Sequence, residues 1–207
     1  MKHQRQELYK EREQQIIAVA ETLLLDNQNF TLDEIAKELN LAKGTLYKHF
    51  SSKNELLMRL VIDNEYQVLD ISKQYGDDLK QYIPRYMLYH LLDPKKTITL
   101  HHIEEQLTMT VSQSSLAFDE LYRIRQQRLA DIREMVEKHA NAMNFEISIR
   151  DYSSYVWSIT FGACLLLNSS YYQRSIGSRK KLINLYINQA LAFPKQTIDM
   201  EEFWAEE

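Results

Sequence analysis

The sequence predicts an all-α fold, and three of its features carry that prediction. The 207 residues include only 4 Gly and 3 Pro, so few of the turns that hairpins need can be built. Apolar residues recur at helical spacing, as at Ile16, Ala20 and Leu24. Two Ser/Thr-x-x-Glu patterns, at residues 31–34 and 52–55, are typical of helix starts. The length and the 44% hydrophobic content suffice for a sizeable core, in one domain or in two closely packed domains.

Composition excludes several classes of protein. The single cysteine, Cys164, lies in an apolar run, which excludes a disulfide framework and is typical of a buried thiol. The charged N-terminus lacks the apolar segment of a secretory signal, and the longest apolar stretch is far shorter than the ~20 residues of a membrane span. We therefore expect a soluble cytoplasmic protein with no membrane partner.

A cluster of basic residues in an otherwise acidic chain could contact a polyanion such as DNA locally. The net charge is −4, yet residues 39–54 hold three lysines and His49 and no acidic residue. Phosphate neutralisation is local, so such a patch suits DNA even on an acidic protein. A solvated helix face has the same composition, so both interpretations stay open on charge alone.

The first helix is predicted over residues 8–25, and the motif that follows it is more specific. Thr31 and Glu34 form a capping box, with Phe30 and Ile35 as its hydrophobic staple, so a second helix begins at or just after Thr31. Asn40 tolerates the left-handed conformation that ends a helix.

Only two residues then precede the helical stretch KGTLYKHF. Helices joined by three or four residues cross steeply, as in a helix-turn-helix. We expect Leu41, Leu46 and Phe50 to face the core. The side chains left outside are Lys43, Thr45, Tyr47, Lys48 and His49.

The rest of the chain is also predicted to be helical. Ser52 and Glu55 form a second capping box, which starts a helix that ends at Gly76. Further helices are expected over residues 78–92 with Pro84 in a first turn or at a kink, 97–111, 115–140, 147–172 and 178–193. The acidic tail is expected to be loose, with Phe203 and Trp204 as possible anchors.

Residues 30–57 resemble the DNA-binding domain of TetR-family transcriptional regulators. The matching residues are Thr31, Ile35-Ala36, Leu39, Gly44-Thr45-Leu46-Tyr47, His49-Phe50, Ser52-Lys53 and Leu56-Leu57. The resemblance implies a three-helix helix-turn-helix domain at residues 1–55 and a larger helical effector-binding and dimerisation domain at residues 56–207. Ala42 departs from the pattern because it offers no hydroxyl for capping or phosphate, and Asn40 stands where glycine is more usual.

The DNA-binding residues that we predict combine the motif with simple chemistry. They are Thr31, Lys43, Gly44, Thr45, Tyr47, Lys48, His49 and Lys53. Lys43 and Thr45, at the start of the third helix, are the candidates for reading bases. Lys53 adds a cation to a helix N-terminus, which is a ready anion site. The resemblance assigns Tyr47 to a phosphate or a thymine methyl group; packing beside the turn is the alternative.

The resemblance also implies a homodimer and a pocket for a small-molecule effector. The predicted dimerisation residues are Trp157, Phe161, Gly162, Leu165, Leu182, Leu185 and Tyr186. The predicted pocket residues are Tyr86, Met87, His90, Met109, Phe118, Tyr122, Trp157 and Phe161. Both groups can instead be monomer core, because apolar stripes at helical spacing are usually core. No cofactor or metal is predicted.

Three functions compete at this point. The first is a dimeric, sequence-specific regulator, most often a repressor, that a ligand releases from a pseudo-palindromic operator in double-stranded DNA. The second is an effector-independent DNA-organising or partner-recruiting protein with the same fold. An enzyme is disfavoured, because the sequence has no phosphate-binding glycine loop and no nucleophile motif.

Overall fold

The computed structural model describes residues 2–27, 29–110, 115–175 and 177–192, and every regular element in them is an α-helix. The elements are α1 (Lys2–Asn27), α2 (Leu32–Glu38), α3 (Lys43–Leu46), α4 (Lys53–Tyr75), α5 (Leu79–Leu92), α6 (Pro94–Thr110), α7 (Leu116–Ala142), α8 (Ile149–Asn168), α9 (Ser170–Ser175) and α10 (Arg179–Leu191). The predicted all-α class is confirmed. None of these helices is both long enough and apolar enough to span a membrane.

The capping chemistry of α2 is as predicted. The backbone N–H of Glu34 donates to Thr31 Oγ1 at 3.2 Å, and the N–H of Thr31 donates to Glu34 Oε2 at 2.6 Å. After α2, Asn40 adopts a φ of 54°, and the N–H of Leu41 donates to the carbonyl of Ala36 at 2.7 Å. The left-handed conformation of Asn40 lets a carbonyl group at the end of α2 accept a hydrogen bond, and it redirects the chain towards α3.

The second capping box differs from its prediction. Ser52 accepts a bond from the N–H of Glu55, as expected, but the Glu55 carboxylate returns to the N–H of Ser51 at 2.7 Å rather than to that of Ser52. Ser51 therefore contributes to the start of α4, although the sequence pattern assigned it no role.

Several helix boundaries also differ from their predictions. The first helix begins at residue 2 instead of residue 8, and α6 begins at Pro94, which needs no hydrogen bond in a first turn. The helix predicted over residues 147–172 ends at Asn168, and the short α9 follows it. Pro84 lies within α5, beyond its first turn. The predicted ends at Val111 and Phe193 and the anchors Phe203 and Trp204 lie outside the described residues.

Two apolar cores hold the helices together. The first core joins α1, α2, α3 and the start of α4 to α6 and α7 through residues such as Ile16, Leu46, Leu100 and Ile124. The second core joins the end of α4 to α5, α7, α8 and α10. The boundary predicted between residues 55 and 56 lies in the first turn of α4, so the two predicted domains share a continuous helix and the first core.

Candidate functional site

The helix α3 lies at the surface, with one side embedded. Leu46 and Phe50 are buried in the first core, so the opposite side of the turn faces outward. On that side Lys43, Gly44 and Lys48 are exposed, and Tyr47 is 49% exposed. Thr45 and His49 are only partly exposed. The residues predicted to contact DNA on this turn therefore form one contiguous surface.

Lys43 forms an ion pair with Asp33 of α2. The hydrogen bond from its ammonium group to that carboxylate raises the pKa of Lys43, so the side chain remains cationic. Both partners are largely exposed, and the pair contributes little to stability. Lys43 can therefore exchange Asp33 for another acceptor at small energetic cost.

The N-terminal half of α1 packs against the end of this turn. The ring of Tyr9 stacks on His49 with centroids 4.1 Å apart, and its hydroxyl donates to the carbonyl of Lys48 at 3.1 Å. Burial lowers the pKa of His49, and its Nδ1 is enclosed with no hydrogen-bond partner among the described residues. His49 is thus neutral at neutral pH and offers only Nε2 to a phosphate. The sequence analysis missed Tyr9, because the polar first half of α1 has no apolar periodicity to orient it.

A groove brings together Thr31, Tyr47 and Lys53, three of the residues predicted to bind DNA. It lies between the N-termini of α2 and α4 and is also lined by Asn29, Phe30, Leu32, Asp33, Ser51 and Ser52. The ammonium group of Lys53 lies 4.6 Å from the centre of the Phe30 ring and 3.5 Å from Asn29 Oδ1. An ammonium group, a phenol and the N–H groups that begin a helix are the donors that a phosphate oxygen needs.

A second feature is a cavity of about 560 Å³ among α4, α5, α6, α7 and α8. Four of the eight predicted pocket residues line it, namely Tyr86, His90, Tyr122 and Trp157. The other four do not. Met87 is fully buried in the second core, and Met109 is 83% exposed. Phe118 packs on the first core, and Phe161 packs on His101, with ring centroids 4.5 Å apart.

Charged side chains that the sequence analysis missed form one wall of this cavity. Arg125 donates to Glu65 through Nε at 3.2 Å and Nη2 at 2.8 Å, and to Glu104 through Nη2 at 2.8 Å. Arg128 lies 3.4 Å from the other oxygen of Glu65. Burial opposes ionisation of Glu65, but the two arginines hold its pKa below the usual range. The signal that was available is the position of Glu65 on the apolar side of α4, between Val61 and Leu69.

His90 occupies the centre of an aromatic group in the cavity wall. Its ring makes edge contacts with Tyr86 and Trp157, at centroid distances of 5.1 and 5.3 Å, and its Nδ1 lies 3.3 Å from Thr97 Oγ1. Burial, reinforced by the charge of Arg128, lowers its pKa to about 4. His90 is therefore a neutral, orienting residue near neutral pH.

The predicted dimerisation residues divide into two sets. Leu165 and Leu185 are 49% and 61% exposed, and Gly162 is exposed with open space around it, on the outer sides of α8 and α10. Phe161, Leu182 and Tyr186 are half-buried, and Trp157 faces the cavity. Each of the two helices therefore exposes an apolar side chain, Leu165 on α8 and Leu185 on α10.

The comparisons with known proteins agree with this geometry. Residues 16–60 match the sequence model of bacterial regulatory proteins of the tetR family. A tetR-family regulatory protein from Rhodococcus is similar in structure over 86% of this chain and 94% of its own, with 19% identity and a TM-score of 0.66. The regulator PfmR from Thermus thermophilus is similar in structure over 85% of this chain and 96% of its own, with 16% identity and a TM-score of 0.62.

A third similar structure is that of the regulator FadR from Bacillus subtilis in complex with stearoyl-CoA. It covers 86% of this chain and 97% of its own, with 16% identity and a TM-score of 0.58. No curated protein sequence matches the chain significantly.

An exposed helix that follows a tight turn and is held by a buried leucine defines a helix-turn-helix DNA-binding protein. Residues 16–60 thus carry the DNA-binding sequence pattern of the tetR family of bacterial regulatory proteins, and the fold of the chain is similar to that of the tetR-family structures above. The helix α3 occupies the position of the recognition helix in this motif.

Proposed function

We propose that the protein is a homodimeric repressor that binds a pseudo-palindromic operator in double-stranded DNA and dissociates when a small molecule enters the cavity. The observation that carries this proposal is the shared surface of the recognition helix and the groove that contains Thr31, Tyr47 and Lys53. Lys43 and Thr45 contact bases, and the groove residues contact phosphates. Such a protein acts in the cytoplasm, where bacterial DNA lies.

The apolar surface on α8 and α10 supports the dimer. One recognition helix makes few contacts, so a second head with twofold symmetry is needed for tight, specific binding. Leu165, Leu185 and Gly162 provide an apolar surface with room for the same surface of a second copy.

Helix α6 supports the link between the cavity and the DNA-binding surface. Leu100 both lines the cavity and belongs to the first core. Near the start of α6, Lys96 forms an ion pair with Glu21 of α1. A ligand that displaces α6 therefore moves α1 and, through Tyr9, the recognition helix. The existence of the cavity favours this proposal over an effector-independent DNA-organising protein.

The phosphate-binding groove is tested with two variants, Lys53→Ala and Tyr47→Phe. Binding to a random-sequence duplex is measured by fluorescence anisotropy over a range of salt concentrations. Because each lost phosphate contact releases one counterion fewer, we expect Lys53→Ala to make the negative slope of log K against log salt less steep by about one per protomer. Tyr47→Phe should weaken binding with little change in that slope.

Lys73→Ala is the matched control, since Lys73 is an exposed lysine at the other end of α4. Circular dichroism establishes that each variant is folded. Wild-type affinity and slope in folded Lys53→Ala, or an equal loss in Lys73→Ala, would contradict the proposed phosphate site.

A further inference from the structure

One end of the cavity presents more hydrogen-bond donors than the protein itself satisfies. We propose that the cavity binds an organic carboxylate with a ring-bearing apolar body, and that the carboxylate pairs with Arg128. This inference rests on the proposed function, because it identifies the chemical class of the effector.

The two partly buried arginines, Arg125 and Arg128, differ in how many of their N–H groups are already hydrogen-bonded. Arg125 has no such N–H group to spare at its inner end, since four hydrogen bonds join it to Glu65 and Glu104. Arg128 is only 18% exposed, and among the described residues its only ion-pair partner is Glu65, at 3.4 Å. That distance is long for a charge-assisted hydrogen bond. The guanidinium group of Arg128 therefore retains N–H groups for an acceptor inside the cavity.

Two phenols add donors at the same place. Tyr82 and Tyr86 lie one turn apart on α5, line the cavity and stack with centroids 5.7 Å apart. The Arg128 guanidinium carbon lies 5.7 Å from the centre of the Tyr86 ring. Burial raises the pKa of both phenols, so both keep their protons. Among the described lining residues, the enclosed side-chain atoms without a hydrogen bond that can act as acceptors are Glu65 Oε2, His90 Nε2 and Ser153 Oγ, which are fewer than the N–H and O–H groups of Arg128 and the two phenols.

The remaining cavity wall suits an apolar, ring-bearing body. Aliphatic and aromatic side chains make up most of it: Val61, Ile83, Leu100, Leu129, Ile132 and Trp157. Aromatic and aliphatic walls with a few placed polar groups are typical of sites for small organic molecules. The cavity volume of about 560 Å³ is also in the usual range for such sites.

The charges of the wall disfavour the other head groups. A cation would lie beside Arg125 and Arg128, and the inner carboxylates of Glu65 and Glu104 are already paired with these arginines. The remaining lining carboxylate among the described residues, Glu105, is exposed. A head group with several phosphates would need more cations, yet Arg128 is the single inner arginine with free donors among the described lining residues; Arg150 is exposed. A single carboxylate matches one guanidinium fork in charge and shape.

The test uses three probes that share one skeleton and differ in head group: biphenylacetate, biphenylethanol and biphenylethylamine. Their binding to the DNA-free protein is measured by isothermal titration calorimetry at neutral pH. We expect biphenylacetate to bind about tenfold or more tightly than biphenylethanol, since a hydrogen bond between two charged groups is stronger than one to a neutral hydroxyl. Biphenylethylamine should bind most weakly.

Arg128→Gln should remove the preference for the carboxylate, whereas Arg133→Gln should keep it, because Arg133 is an exposed arginine on the same helix. If Arg128→Gln does not fold, Arg128→Lys and Tyr86→Phe replace it, and each should reduce the preference several-fold. The proposal is overturned by tighter binding of the alcohol or the amine, by no binding of any probe, or by an unchanged preference in a folded Arg128 variant.

The result is independent of the DNA measurements. Failure of all three probes, together with intact operator binding, would overturn the carboxylate site and leave the DNA-binding proposal standing. If the protein prefers biphenylacetate but selects no DNA sequence, the proposal of operator binding is overturned and the carboxylate site is supported.

Discussion

At the residue scale, Asp33 places a negative charge on the surface that we assign to DNA. It lines the groove beside Thr31 and neutralises Lys43. We expect Asp33→Asn to bind a random-sequence duplex several-fold more tightly at low salt, because a repulsion from phosphate is removed and Lys43 is released. Anisotropy titrations measure this change.

Asp70→Asn is the control for this prediction, since Asp70 is an exposed aspartate that pairs with Lys73 at 3.4 Å on α4. It should leave DNA affinity unchanged. If Asp33→Asn binds the duplex as tightly as the wild type or more weakly, Asp33 does not face the phosphates.

The buried Glu65 gives a prediction for the pH dependence of stability. Its folded-state pKa is depressed, chiefly because Arg128 and Arg125 outweigh the effect of burial. The carboxylate therefore contributes stability above its unfolded-state pKa, and this contribution is lost as the pH falls towards the folded-state value. We expect Glu65→Gln to be less stable than the wild type by about 1–3 kcal/mol at neutral pH, because it leaves Arg128 without its carboxylate partner and Arg125 with Glu104 alone.

The difference between Glu65→Gln and the wild type should shrink as the pH falls below about 4. Urea denaturation over a pH series measures it, and Glu137→Gln on the exposed side of α7 is the control. A constant difference at all pH values would mean that Glu65 is not stabilised as an anion.

At the element scale, the end of α4 depends on a close approach to α7. A Cβ atom at Gly76 would lie 2.4 Å from the carbonyl oxygen of Ser72 and 3.0 Å from that of Asp131. Gly76→Ala should therefore lower the free energy of unfolding by about 1–3 kcal/mol, as overpacking usually does. Gly177→Ala is the matched control, because nothing lies within 4 Å of a Cβ there. Equal denaturation midpoints for the two variants would contradict this close contact.

Helix starts were more predictable than helix extents. Thr31 caps a helix through its own side chain, so the four residues 31–34 suffice to place the start of α2. The end of α8 at Asn168 has no such local signal, since the following SSYYQ is compatible with a helix. The first half of α1 was missed because its helix is polar, and apolar periodicity starts only near Ile16.

The DNA-binding surface was more predictable than the cavity, because local sequence signals define the first and not the second. The DNA-binding surface is one local motif, so its residues come together as soon as the turn forms. The cavity is built from five helices, and its wall depends on how they pack. On α5 the side that carries Tyr86 and His90 faces the cavity, while the neighbouring Met87 faces the core. Composition alone could not separate these two sides, nor predict that Arg125 and Arg128 point inward.

At the scale of the whole molecule, the proposal requires two DNA-binding heads held by α8 and α10. The double variant Leu165→Glu, Leu185→Glu places charges on the exposed apolar surface of both helices. Sedimentation velocity should show a dimer for the wild type and a monomer for this variant. Leu116→Glu, at an 87% exposed position at the start of α7, should remain a dimer. A dimeric double variant would place the interface elsewhere.

The measurement that we would make first is the selection of bound sequences from a random double-stranded DNA pool with the purified protein at stated salt. We predict an inverted repeat whose half-sites lie about one helical turn apart, because each protomer presents one recognition helix to the major groove. The same motif should be lost or reduced to a single half-site with the double variant. Enrichment of no sequence over non-specific binding would contradict the proposal that this protein reads an operator.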